Sequence, residues 1–405
     1  LLLSIGTLLA FTATFDNIIL IEVLGGAAKP FRIISIMFFM IFAYQCLKKP
    51  SSLGVSVADL ILVLGFVLGL IFSILQANIS SFPVETGYLS AIIYTASISL
   101  YVSLRAIKFE KFHLYIFFIA LFAGIFINFL FFVGQIYFEQ EVSIKYSGLS
   151  KDPSSLGSSF SILFSFLLFM SLYRPTRIKF SFLILLAMIV LVGVIVSQSR
   201  TGTLICIFSF GCYILFILQR WFARSITNFI PLAIPVLAFC SSLLVGFWLY
   251  PEIFETRFSF AILLDGAGRY DLWAKTVPFL ARFEFLPVGF DNMAMTWGPI
   301  LMETQNVQNI VVKQYNLTLH NSFLSFWAAG GFIALICLVL FFWISISNIH
   351  RRCSDQLACN VLIWFIFCVV IESFFHDALI FPRTLVLLWL VQSLVPFFEE
   401  SNEFS

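Results

Sequence analysis

The chain has 405 residues, of which 61% are hydrophobic and only 11% charged, and a soluble fold of that composition would need a core far larger than the surface left to solvate it. Apolar runs near twenty residues recur along it, the length that crosses about 30 Å of hydrocarbon at 1.5 Å per residue, so a helical integral membrane protein is expected. The formal net charge of +2 says little by itself, because in a bilayer the distribution of charge matters more than its sum.

Taken in order, the apolar runs predict about twelve membrane-spanning helices, near 3–22, 31–47, 57–76, 86–104, 112–136, 155–173, 179–197, 201–219, 229–250, 321–347, 357–374 and 378–396. The first is interrupted by Asp16 and Glu22, and Ser197-Gln198-Ser199-Arg200 marks a tight return between two neighbouring runs. The sequence opens at Leu1 rather than at a methionine, so a short leader is expected ahead of it. With no basic stretch before the first apolar run, no cleavable signal is expected. The 52 Phe residues read as filling between helices and toward lipid. Eight Cys scatter mostly through the apolar runs without metal-type spacing and read as small buried hydrophobes.

Three regions follow: helices over 1–250, one large loop over 251–320 with short helices of its own, and helices with a short tail over 321–405. A loop that long between apolar runs, rich in aromatics, is expected to be functional rather than disordered.

Lys48 and Lys49, then Arg105, Lys108 and Lys111, then Arg174, Arg177 and Lys179, then Arg220 and Arg224, then Arg351 and Arg352 fall in alternate connections. Those connections are expected on the cytoplasmic side, which puts the long loop on the opposite face. Arg200, Arg269, Arg282, Lys145, Lys151 and Arg383 then break the rule by lying on the outer face. A single interfacial guanidinium can simply snorkel to lipid phosphate, but several together suit a pyrophosphate held by bidentate donors as charge builds on it.

His320 stands where the loop enters the next helix, and an imidazole there suits a general base or a hydrogen-bonding partner for an incoming hydroxyl. Glu372, His376 and Asp377 are too few for a convincing metal site and are expected to pair with Arg383; neither a metal nor a cofactor is expected. Walker loops, dinucleotide-binding glycines and a serine elbow are absent. Gly330-Gly331 reads as a point of close helix packing.

Together, Ser199-Arg200-Thr201-Gly202 opening a helix, Gly268-Arg269 with Trp273, Pro287-Val288-Gly289 in the loop, and His320-Asn321 with Leu324 and Gly331 resemble the O-antigen ligase and polymerase superfamily. The resemblance runs from about Gly148 to Leu340. It implies an all-α, GT-C-like polytopic protein of the bacterial inner membrane with one long periplasmic loop. It also implies a metal-independent, inverting glycosyltransferase that moves a glycan from undecaprenyl pyrophosphate to an acceptor sugar, either the lipid A core or another lipid-linked glycan. By that resemblance Arg200 and Arg269 hold the donor pyrophosphate and His320 orients or deprotonates the acceptor hydroxyl, these three being the catalytic residues; Asn321 and Trp273 of the motifs, with the outer-face cations Lys151, Arg282 and Arg383, are the expected substrate contacts.

One departure is Asp291, where members of the family often carry a second glycine. Ligase and polymerase differ in acceptor, and these residues leave both open, with a lean to the ligase. A twelve-helix secondary transporter is the alternative from another class, disfavoured by the lack of an internal repeat and by few mid-span charges. A non-catalytic scaffold would leave the outer arginines unexplained. The lipid bilayer is an expected partner and nucleic acid is not.

Overall fold

The computed structural model describes residues 2–13, 21–23, 26–28, 33–35, 37, 40, 56–79, 97–107, 109–139, 153–172, 177–224, 235–242, 244, 269–281, 287, 289, 321–376, 379 and 382–399. In chain order its elements are α1 (Leu2–Thr12), β1 (Ile21–Val23), β2 (Gly26–Ala28), α2 (Val57–Ile79), α3 (Lys111–Glu139), α4 (Pro153–Leu172), α5 (Arg177–Val196), α6 (Arg200–Arg224), α7 (Arg269–Leu280), α8 (Ser322–Arg352), α9 (Gln356–Phe375), α10 (Pro382–Leu394) and α11 (Pro396–Glu399). Residues 97–106 and 235–242 are also helical.

Among the described residues, six helices are long and apolar enough to cross a membrane, and three shorter apolar helices lie at 3–12, 156–172 and 383–398. The protein is therefore a multi-pass helical membrane protein. The expected total of about twelve includes spans near 31–47, 86–104 and 229–250 that lie largely outside the described residues. One boundary differs from expectation. The first apolar run does not continue as a helix to residue 22; instead Glu22 sits in an antiparallel pair, opposite Ala27. A carboxylate at that position is costly inside a lipid-exposed helix, so the end of this run is the part least suited to span.

The chain forms two compact units, one made of residues 1–5, 34–115 and 266–405, the other of residues 6–33 and 116–265. In the first, α2 packs along α8. Small residues allow the approach: a Cβ at Gly65 would stand 3.1 Å from Cys337 Cβ, and one at Gly330 would stand 3.0 Å from the Gly69 backbone nitrogen. Beside them Phe66 meets Phe326 edge to face at 5.0 Å. The other side of α2 exposes Leu60, Leu64, Val67, Ile71 and Ile74, a helical stripe that is apolar where a soluble helix would be polar, as a lipid-facing surface requires.

In the second unit α4 lies against α5 and α6. Residues 156–165 of α4 are buried without a break, and the helix meets α6 through hydroxyls: Ser165 Oγ is 2.5 Å from Ser209 Oγ, and Ser171 Oγ is 3.1 Å from the Tyr213 hydroxyl. Such bonds between membrane helices contribute about 0.6 kcal/mol each. At the start of α6, a Cβ at Gly202 would stand 2.6 Å from the Gly157 carbonyl oxygen, so glycine is what lets these two backbones meet.

A buried ion pair ties the first unit together. Asp59, fully buried near the start of α2, accepts from Arg105 Nε at 3.0 Å. It also accepts from the Tyr101 hydroxyl at 2.6 Å and from both the backbone and the hydroxyl of Ser56. Arg105 Nη1 continues to Ser393 Oγ at 3.1 Å. The Tyr101 hydroxyl lies 3.2 Å from Gln392 Oε1, and Gln392 Nε2 donates to Ser345 Oγ at 2.9 Å. One network thus joins α2, the 97–106 helix, α8 and α10. Sequence reading took Arg105 as one of the charges that set orientation and gave Asp59 no role. Removing the carboxylate alone leaves a largely enclosed guanidinium, 11% exposed, without its counter-charge, at a cost of about 3 kcal/mol, the low end for a buried pair because some solvent reaches it. Asp59→Ala is therefore expected to lower the unfolding midpoint of the detergent-solubilised protein well below that of Leu60→Ala, a lipid-facing control. Equal midpoints would remove the ion pair from the account.

Candidate functional site

At the N-terminus of α8, Asn321 has extended backbone (φ −156°, ψ 111°) and its Oδ1 accepts from the Leu324 N–H at 3.0 Å. This is a helix cap: the side chain satisfies a first-turn donor that no earlier carbonyl can reach. Ser322, next in the chain, donates its hydroxyl to the His376 carbonyl at 3.0 Å. Both Asn321 and Ser322 are buried. The start of α8 is thereby tied to the end of α9, whose cap residue His376 donates its N–H to the Glu372 carbonyl at 2.8 Å.

Glu372 is fully buried and its carboxylate accepts from Arg383 Nη2 at 2.5 Å and from Thr384 Oγ1 at 3.4 Å. The pairing of Arg383 with Glu372 is the one that the sequence suggested. Arg383 is itself only 2% exposed, so this guanidinium faces its carboxylate inside the protein more than any open surface. Aromatic contacts close the same corner: Trp273 of α7 lies 6.3 Å from Phe375, and Phe323 lies 4.7 Å from Phe374, centroid to centroid. Trp273, Asn321 and Arg383, three of the expected substrate contacts, thus gather about the joined ends of α7, α8, α9 and α10.

Arg269 is the first residue of α7, and Trp273 follows it by about one helical turn. Of the Pro287-Val288-Gly289 motif, Pro287 and Gly289 are described; Gly289 is buried, has φ 80°, and donates its N–H to the Ala329 carbonyl of α8 at 3.1 Å. The helix α8 is broken close by, at Gly331 (φ 77°, ψ −176°). His320, Lys151 and Arg282 lie outside the described residues.

In the other unit, Arg200 is the half-buried first residue of α6. The return before it turns on Gln198, whose φ of 58° is left-handed. Ser199 then caps the helix, its Oγ accepting from the Gly202 N–H at 3.1 Å. The motif Ser199-Arg200-Thr201-Gly202 is therefore a capped helix start held against α4 by its glycine.

Sequence reasoning gave no role to Ser322, and it paired Glu372 with Arg383 but not with Thr384. Only Glu372 carried a signal, being acidic at the end of an apolar run with Arg383 eleven positions later. Among the described residues, no three His, Cys, Asp or Glu side chains come together in a way that could hold a metal ion.

No match to a curated protein or to a solved structure is found. A family model described as O-antigen ligase does match, over residues 185–339. That stretch includes most of α5, all of α6 and α7, and the start of α8 through its break. Over that segment, which holds Arg200, Arg269 and His320, the chain is similar to the O-antigen ligase family.

Proposed function

We propose that this membrane enzyme transfers a glycan from undecaprenyl pyrophosphate to a sugar hydroxyl at the periplasmic face of the bacterial inner membrane, with the lipid A core as acceptor. The observation that carries the reading is the family match over 185–339, the stretch in which Arg200 and Arg269 each open a helix. At such ends the unpaired N–H groups and the helix dipole add to a cation's attraction for phosphate. In this reading the two guanidinium groups hold the diphosphate and stabilise the charge that grows on it as it leaves.

His320 takes the proton of the acceptor hydroxyl while its oxygen bonds to the anomeric carbon from the face opposite the leaving group. The bond from that carbon to the phosphate oxygen breaks, the diphosphate departs with the electron pair, and the configuration inverts. No metal is used. Trp273 offers an aromatic surface to the sugar, and Lys151 and Arg282 are added cationic contacts. Asn321 acts first as the cap that fixes the helix start. Arg383 is given a supporting part rather than direct contact, because Glu372 holds it in the interior.

Three expected outcomes test the reading on purified protein in nanodiscs supplied with an undecaprenyl-pyrophosphate-linked glycan. His320→Ala and Arg269→Ala each lower transfer by about a hundredfold or more with expression and insertion unchanged, and full transfer in either removes that residue from the mechanism. Arg200→Lys keeps the charge but loses the planar fork, so it falls roughly tenfold or more; wild-type rates in the Lys form would make Arg200 a plain interfacial anchor. Chelator leaves the rate as it is, whereas a loss restored by a divalent ion would contradict the metal-free step. Offering lipid A core and a second lipid-linked glycan side by side separates ligase from polymerase.

A further inference from the structure

The break at Gly331 divides α8 into a first segment, residues 322–330, and a longer second one. An interrupted helix leaves carbonyls in the turn before the break without their usual donors, and in an apolar interior each must find another. Ala329 finds one outside its own helix: its carbonyl accepts from the Gly289 N–H. The position of Gly289 is set closely. With φ 80°, its backbone is one that L side chains rarely adopt, and a Cβ there would run into the Cα of Ser73 in α2 and stand 2.5 Å from its backbone nitrogen. On the near side Pro287 leaves no room either, its Cγ being 3.1 Å from where a Cβ at Gly331 would be. Three pieces of chain, α2 at Ser73, Pro287 with Gly289, and the broken turn of α8, therefore meet in close contact.

At its other end the same segment is tied by the Ser322 hydroxyl to the His376 carbonyl. His376 is in turn fixed through its N–H to Glu372, the residue that also holds Arg383 and Thr384. A kink present only to ease helix packing would need no donor from a distant loop. Here both ends of a short helical segment are bonded to other parts of the fold, and the cap Asn321 stands at its start.

We propose that residues 322–330 are a separately held positioning element, with Gly289 and Ser322 as the positioning residues that fix its two ends and so set the place of the helix start at Asn321. The element itself is a matter of backbone geometry; only its service to catalysis rests on the reading of His320 given above. Through it, Gly289 and the first segment of α8 are registered against each other.

Hydrogen–deuterium exchange on the full chain in nanodiscs tests this, with Gly134→Ala, a site with nothing within 4 Å of the added Cβ, as control. In Gly289→Ala the amides of residues 325–330 are expected to exchange about tenfold faster, while those of 334–349 stay as in the wild type. Unchanged exchange at 325–330 overturns the proposal, as does a uniform rise along all of α8. Should Gly289→Ala fail to fold, Ser322→Ala removes only one hydroxyl and carries the same readout at the other end of the segment. Transfer from the undecaprenyl-pyrophosphate-linked glycan is measured on the same samples: a lower kcat with unchanged KM for the donor supports the positioning role, and an unchanged kcat contradicts it. The exchange pattern in Gly289→Ala, found together with no transfer by the wild-type protein, would sink the glycosyltransferase reading and leave the joint standing.

Discussion

Inside an apolar medium a polar group that is not bonded within the protein has nowhere else to turn, and this constraint organises the described part of the chain. Asp59 is met by Arg105, Tyr101 and Ser56. Glu372 is met by Arg383 and Thr384. Ser165 and Ser171 of α4 are met by Ser209 and Tyr213 of α6, and the Ala329 carbonyl beside the break in α8 is met by Gly289. Each solution is also a tie between elements far apart in sequence, so the polar groups, few as they are, register helices that apolar packing alone would let slide. Buried charges are costly and mark particular places for that reason.

Two ion pairs among the described residues differ in what they serve. Asp59 and Arg105 join the beginning of α2 to α8 and α10 through Gln392 and Ser345, a part of the first unit that the family residues do not occupy. Glu372 and Arg383 stand instead beneath the corner where α7, α8 and α9 meet, next to the cap at Asn321. The first pair reads as architecture. The second supports the helix start on which the proposed chemistry depends.

Much of this was legible in the sequence, because a membrane span announces itself by local composition. The runs placed at 57–76, 112–136, 155–173, 179–197, 201–219, 321–347 and 357–374 correspond to α2, α3, α4, α5, α6, α8 and α9 to within a few residues at most ends. The tight return before Arg200 and the close packing at Gly330 were also visible, since turns and small residues carry their own local signals. What could not be read was anything fixed by partners distant in sequence. Arg105 looked like a topology marker because its acceptor, Asp59, lies in a different helix. Gly331 looked like a packing glycine, and its φ of 77° depends on Pro287 and Gly289 being beside it. Asn321 was expected as a substrate contact, and its first duty is to cap α8. The pairing of Arg383 with Glu372 was legible, both lying near one run's end, but the depth at which the pair is buried was not.

The reaction proposed requires that two arginines, each at the start of its own helix, converge on one diphosphate with an imidazole beside the sugar. The most direct measurement is a cryo-electron microscopy map of the full chain with an undecaprenyl-pyrophosphate glycan bound and His320→Ala holding it unreacted. The account predicts the diphosphate within hydrogen-bond reach of both Arg200 and Arg269, with residue 320 facing the anomeric carbon. A diphosphate seated away from either arginine, or the two arginines on opposite faces of the bilayer, would contradict it.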